Sequence, residues 1–249
     1  MSPRVTPLCC GSIAMDAGVL VAGASGRIEA PSTAFLIEAA ETILVDTSFG
    51  DPERATERHP GFECHRPPDQ RVDRALDAAG YDPADVDTVV FTHLDWDHCH
   101  ALDRFPSSTE FVVQRAEVAY ATDPYPPHAV RYETGTSKGD PPWTGRDLTP
   151  IEGETELCPG VVAFPTPGHT VGHQSIAVET EAGTTVVAAD AVPTFRNVDR
   201  DVGEPRRLGG AIDEVAWWES ASEVLDRADA ILPGHEWEIL DATPVGLVE

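Results

Sequence analysis

The chain is nearly devoid of lysine: Lys138 is the only one, and the rest of the basic set is arginine. Against 17 basic residues stand 43 acidic ones, a formal net charge of −26 over 249 residues. A surface this acidic repels phosphate backbones, so nucleic acid is not an expected partner. In dilute buffer, self-repulsion on this scale destabilises a compact state. At ~1 M salt the Debye length falls to about 3 Å and the repulsion is largely screened. The composition therefore points to a halophilic protein of a salt-rich cytoplasm.

Long apolar runs are missing too. No window approaches ~18 uninterrupted apolar residues, and the opening "MSPRVTPLCCGSIAMDAGVLVAG" joins no basic segment to a long apolar one. A cytoplasmic location with no membrane partner is the expectation. Cysteine is sparse: Cys9, Cys10, Cys64, Cys99 and Cys158 form an odd set without C-x-x-C spacing, which indicates neither a disulfide framework nor a cysteine zinc site. A G-x-S-x-G elbow is absent as well, "GASG" at 23 to 26 having the wrong spacing, so a serine hydrolase is disfavoured.

What is present reads as one globular domain over residues 1–249. Apolar runs of strand length recur between turn residues: "TAFLIEA" (33 to 39), "TILVDT" (42 to 47), "DTVVFTH" (87 to 93), "TEFVVQ" (109 to 114), "GVVAFPT" (160 to 166), "QSIAVET" (174 to 180), "TTVVAAD" (184 to 190) and "DAILPGH" (229 to 235). Helical patterns lie between some of them. "RVDRALDAAG" sets Val72, Ala75, Leu76 and Ala79 on one face and ends at Gly80, a natural cap. "QRAEVAYA" and "AIDEVAWWESASEVLDRA" are two more, the second expected to bury Ile212, Val215, Trp218, Ser222 and Leu225. Residues 122 to 147 and 192 to 210 are rich in proline, glycine or arginine and read as irregular, either a lid or a solvated loop.

The stretch "VVFTHLDWDHCHAL" (89 to 102) packs His93, Asp95, Asp97, His98 and His100 behind an apolar run. Side chains at 93 and 95 can converge on one point while the chain turns and sends Asp97 and His98 toward another. Imidazole and carboxylate suit zinc, manganese and iron. Three further signals sit at strand ends: His169 and His173 in "PTPGHTVGHQS", Asp190 closing "TTVVAAD", and His235 closing "AILPGH". Strand ends gathered on one rim are where layered folds assemble sites from distant parts of the chain. Leaving His100 and His173 aside, they supply seven candidate ligands, enough for two metals.

The series H-x-[H/E]-x-D-H, P-G-H-T, a strand ending in Asp, then P-G-H resembles the signature of the metallo-β-lactamase fold superfamily. "FLIEAAETILVDTSFG" is similar to that family's opening hairpin, and "TEFVVQRAEVAYA" with "PTPGHTVGHQSI" resembles its N-acyl homoserine lactonase branch. The resemblance implies a four-layer αββα sandwich with a dimetal site at one edge. It assigns His93, Asp95 and His169 to a first metal, Asp97, His98 and His235 to a second, and Asp190 to both. It also implies two divalent ions, zinc foremost, sharing a bridging hydroxide that attacks an ester or lactone carbonyl, with Asp97 or Asp190 moving the proton. The substrate is then a small molecule, and the oligomeric state stays open, a homodimer included. Asp46 is expected to support a ligand, His173 to support or pack, His100 to be solvated or supporting, and His59, His65 and His128 to lie on the surface.

Two positions depart from the pattern. Asp95 stands where the usual motif has a second histidine, which brings iron and manganese into contention and, by charge count alone, takes the loaded centre toward neutrality. Thr194 and Phe195 stand where many of the lactonases carry a tyrosine, which weakens any choice of substrate by analogy. Rival readings are a mononuclear iron dioxygenase of the same fold, a thioester hydrolase of glyoxalase II type, and an idle metal-binding scaffold.

Overall fold

The computed structural model describes residues 2–134 and 140–241. Its strands in chain order are β1 (Arg4–Asp16), β2 (Arg27–Glu38), β3 (Thr42–Val45), β4 (Glu63–His65), β5 (Thr88–Val90), β6 (Glu110–Gln114), β7 (Thr149–Ile151), β8 (Thr155–Cys158), β9 (Val161–Pro165), β10 (Gln174–Thr180), β11 (Gly183–Ala189), β12 (Val198–Asp199), β13 (Glu204–Pro205) and β14 (Ala230–Pro233). The helices are α1 (Ala17–Leu20), α2 (Pro52–Arg58), α3 (Val72–Ala78), α4 (Arg115–Thr122), α5 (Glu214–Arg227) and α6 (Glu238–Asp241). One sheet runs β4-β1-β2-β3-β5-β6-β7 and the other β14-β11-β10-β9-β8.

The strands read as unbroken apolar runs because both faces of each sheet are covered. Side chains alternate across a strand. On β2, Phe35 and Ile37 enter the core between the sheets with Ile176, Val178 and Val187, while Ala34 and Leu36 face the opposite way against Leu76 of α3. On the second sheet, Ala177, Val186 and Ala188 pack outward against Trp217, Ala221 and Val224 of α5. The result is the expected αββα sandwich.

Three expectations are corrected. The α5 face is turned by one residue: Trp217, Ser220, Ala221 and Val224 are buried, whereas Val215 is 71% and Trp218 41% exposed. His59 is buried, stacked on Trp96 with ring centroids 4.0 Å apart and hydrogen-bonded to Glu133 at 3.0 Å. The 192 to 210 stretch contains the β12–β13 ribbon, and three of its arginines pair with Asp199, Glu214 and Glu238. The long first strand β1, for which the sequence reading offered no element, is the partner of both β2 and β4. The expected lid, 122 to 147, includes residues 135–139, which lie outside the described residues; before them a single 3₁₀ turn spans Pro126–His128.

Candidate metal centre

Topology brings the chemistry together. β3 and β5 are parallel, with Val45 opposite Val90, so the residues that leave both strands emerge side by side at one rim. There Asp46 accepts hydrogen bonds from the Thr92 amide (2.8 Å) and the Thr92 hydroxyl (2.7 Å). Parallel pairing of β11 and β14 places Asp190 and His235 at the corresponding rim of the other sheet, and His169 follows β9. The sequence expectation put seven candidate ligands here, and all seven stand at this rim.

Asp190 lies between two groups. Its Oδ2 is 3.3 Å from His169 Nε2, while its Oδ1 is 3.3 Å from His235 Nε2 and 3.6 Å from His98 Nε2. His169 Nε2 and His93 Nε2 lie 3.2 and 3.7 Å from Asp95 Oδ2. On the other side, His98 and His235 each place Nε2 3.9 Å from Asp97 Oδ2. Tetrahedral ligands at ordinary zinc–nitrogen distances stand about 3.3 Å apart, so this spacing suits a cation in each group.

The hydrogen bonds on the far side of each ring decide which nitrogen faces inward. The single hydroxyl proton of Thr92 goes to Asp46, so Thr92 Oγ1 accepts from His93 Nδ1 at 2.9 Å and leaves a lone pair on His93 Nε2. His98 Nδ1 donates to Asp46 Oδ2 at 2.8 Å, and His235 Nδ1 to the Pro31 carbonyl at 2.8 Å. Among the described residues, His93 Nε2, His98 Nε2 and Asp190 Oδ1 are buried without a hydrogen-bond partner. Such orphans are costly unless something else satisfies them, and converging nitrogen and carboxylate lone pairs fit divalent cations. Asp46 holds its position at φ +60°, and Ala189, next to Asp190, at +44°, left-handed conformations of the kind that cluster at functional sites.

Charge follows the geometry. Burial opposes protonation of His98, but Asp190, Asp46 and Asp97 outweigh it and pull its pKa up to about 10. Burial would raise Asp190, yet His235, His169 and His98 hold it well below the usual carboxylate range. His93 is pushed far down by burial and by His98 and His169.

The sequence reading missed two residues. Glu117 on α4 is fully buried and accepts from the Leu94 amide, the Thr170 hydroxyl and the Gly172 amide, tying the 93–98 loop to the 169–173 loop. Arg131 makes a fork on Asp95, Nε to Oδ1 at 3.1 Å and Nη2 to Oδ2 at 2.5 Å. Its charge corrects the earlier count: the carboxylate that replaces the usual imidazole arrives with its own cation. An unpartnered acidic residue in a motif signals that such a partner exists; only the fold reveals which arginine it is. His173 bonds Thr166 and stands beside His93, ring centroids 5.1 Å apart, outside the ligand groups. His100 is largely covered and close to Glu133, also outside them.

A cavity of about 210 Å³ opens onto the rim; its lining includes the polar Asp95, Asp97, Arg131, His169, Asp190 and His235 and the apolar Met15, Leu20, Phe62, Val130 and Leu208.

The sequence model of the metallo-beta-lactamase superfamily matches residues 27–235. The chain belongs to that superfamily. Within this superfamily, an N-acyl homoserine lactonase of a Bacillus species is 32% identical over 186 residues, covering 70% of this chain and 69% of its own. The N-acyl homoserine lactonase AttM of Rhizobium radiobacter is 31% identical over 176 residues, 68% and 65% of the two chains. The crystal structure of a Bacillus thuringiensis AiiA mutant with N-decanoyl-L-homoserine bound superposes with a TM-score of 0.77 at 25% identity, covering 96% and 95% of the chains. AidC, a dizinc quorum-quenching lactonase, shares the fold at 15% identity, with a TM-score of 0.68 and 94% and 88% coverage.

Proposed function

We propose that this metallo-β-lactamase-fold protein is a two-metal hydrolase that opens lactones, with N-acyl homoserine lactones as the favoured class. The observation that carries the reading is Asp190, whose Oδ2 faces His169 while its Oδ1 faces His98 and His235. His93, Asp95 and His169 would hold one cation, Asp97, His98 and His235 the other, with Asp190 shared. Two divalent cations held there, zinc by preference with manganese or iron admitted by Asp95, would activate water and polarise an ester carbonyl.

The chain's own groups supply the rest. Asp97, its side chain 16% exposed, is the most open of the site carboxylates and is the group that takes the proton of the attacking water and returns it to the leaving alkoxide. Asp46 fixes the imidazole of His98 and, through Thr92, that of His93. The apolar lining residues Met15, Leu20, Phe62, Val130 and Leu208 take an acyl chain while the ring ester faces the polar ones. Support from relatives is that two proteins described as N-acyl homoserine lactonases match 70% and 68% of the chain at 32% and 31% identity.

The test is turnover by protein purified without chelator in concentrated KCl, on acyl homoserine lactones of graded chain length, acyclic esters and a glutathione thioester, alongside elemental analysis and an oxygen electrode. Lactone opening with two metals per chain supports the reading. Thioester preference, or oxygen uptake with one iron per chain, overturns it.

A further inference from the structure

Arg131 touches the centre in an unequal way. Its hydrogen bonds run to Asp95, to His169 and to the Gly210 carbonyl, with Nη2 2.5 Å from Asp95 Oδ2 and 2.9 Å from His169 Nε2. Both contacted atoms belong to the group that would hold the first metal; Asp97, His98 and His235 receive no hydrogen bond from Arg131 among the described residues. A guanidinium has donors and no acceptor, and an imidazole nitrogen has one lone pair. The His169 lone pair that accepts from Arg131 is therefore the same one a first metal needs.

We propose that Arg131 is a built-in rival of the first metal, so that the two cations of the reading above bind unequally. The second position fills first, and the first fills only as Nη2 withdraws from Asp95 Oδ2 and His169 Nε2. Withdrawal has somewhere to go: the Arg131 side chain is 21% exposed and lines the cavity, and because the guanidinium is a rigid plane the whole fork swings off Asp95 together, with the Gly210 carbonyl on the far side to hold Nη1. Electrostatics points the same way, because a fixed positive charge at hydrogen-bond distance from two ligand atoms repels an incoming divalent ion. Asp95 and Arg131 then act as one unit, a carboxylate ligand whose charge and availability are set by its arginine.

The inference rests on the two-metal reading and is tested by a different readout. Metal-free protein is titrated with zinc in the presence of a competing chelator, and bound zinc is counted. The expected result is two steps separated by roughly 100-fold in Kd, with Arg131→Gln tightening the weaker step by about tenfold or more and leaving the tighter one unchanged. Arg131→Lys, which keeps a charge but not the fork, falls between, and it serves as the reporter if the glutamine variant does not fold. Two equal steps in the wild type, or a weaker step that neither variant moves, overturn the role of Arg131 while leaving the two-metal reading intact. Absence of zinc binding overturns both.

Discussion

Glu117 offers a perturbation whose size can be worked out beforehand. It is fully buried, and its carboxyl accepts from Leu94 (3.0 Å), Thr170 (2.9 Å) and Gly172 (2.9 Å). Burial pushes its pKa up to about 7, so near neutrality the carboxyl is only partly charged. The neutral hydrogen-bond value of ~1 kcal/mol per bond is then the cautious one, giving about 3 kcal/mol for Glu117→Ala, with two amides left unpartnered. Glu117→Gln keeps the shape and the Leu94 bond. Because the folded pKa lies above the ordinary 4.5, the wild type has its full stability contribution from this group below about 4.5 and loses it as pH rises through about 7. Glutamine does not ionise, so the gap between wild type and Glu117→Gln should narrow from pH 5 to pH 8. Urea unfolding of the chelated proteins in concentrated KCl measures both. An alanine variant within about 1 kcal/mol of wild type, or a gap that widens with pH, would refute the reasoning.

Three more outcomes are expected. The melting temperature should rise steeply between dilute buffer and ~1 M KCl as the −26 charge is screened, read by circular dichroism; a flat response removes the case for a salt-adapted surface. Asp95→His should lower stability by about 3–5 kcal/mol by stranding the Arg131 guanidinium, and adding Arg131→Gln should recover most of it; additive losses in the denaturation midpoints would deny the coupling. With His98 pulled up to about 10 in metal-free protein, zinc uptake should release a proton and weaken as pH falls, which calorimetry in buffers of different ionisation enthalpy detects as a buffer-dependent heat.

Much of the site is legible in the sequence, for a physical reason. Candidate ligands of the 93–98 group are close in sequence, and the remaining ones stand at ends of apolar strands, where local periodicity stops and polar residues stand out. The phase of α5 was not readable, because Trp217 and Trp218 head equally good helical stripes. Gly168 decides between them: a Cβ there would stand 2.1 Å from the Trp217 amide nitrogen, so the bare glycine lets α5 pack with Trp217 inward. Arg131 was hidden for the same kind of reason, since its meeting with Asp95 spans 36 residues and depends on the course of a loop without periodicity. His59 looked like a surface residue because nothing local announces the Trp96 ring on which it lies.

Neither sheet carries a complete set of candidate ligands. His93 through His98 leave the first sheet, and His169, Asp190 and His235 leave the second. Cations bound among them would therefore act as a removable clasp across the sandwich, joining chain segments as far apart as residues 93 and 235 and restraining the halves much as a covalent cross-link does. A chelator would then loosen the body of the molecule as well as stop turnover, and protease resistance would follow metal supply. For a cell, the stock of durable enzyme would rise and fall with its free metal, with no change in synthesis.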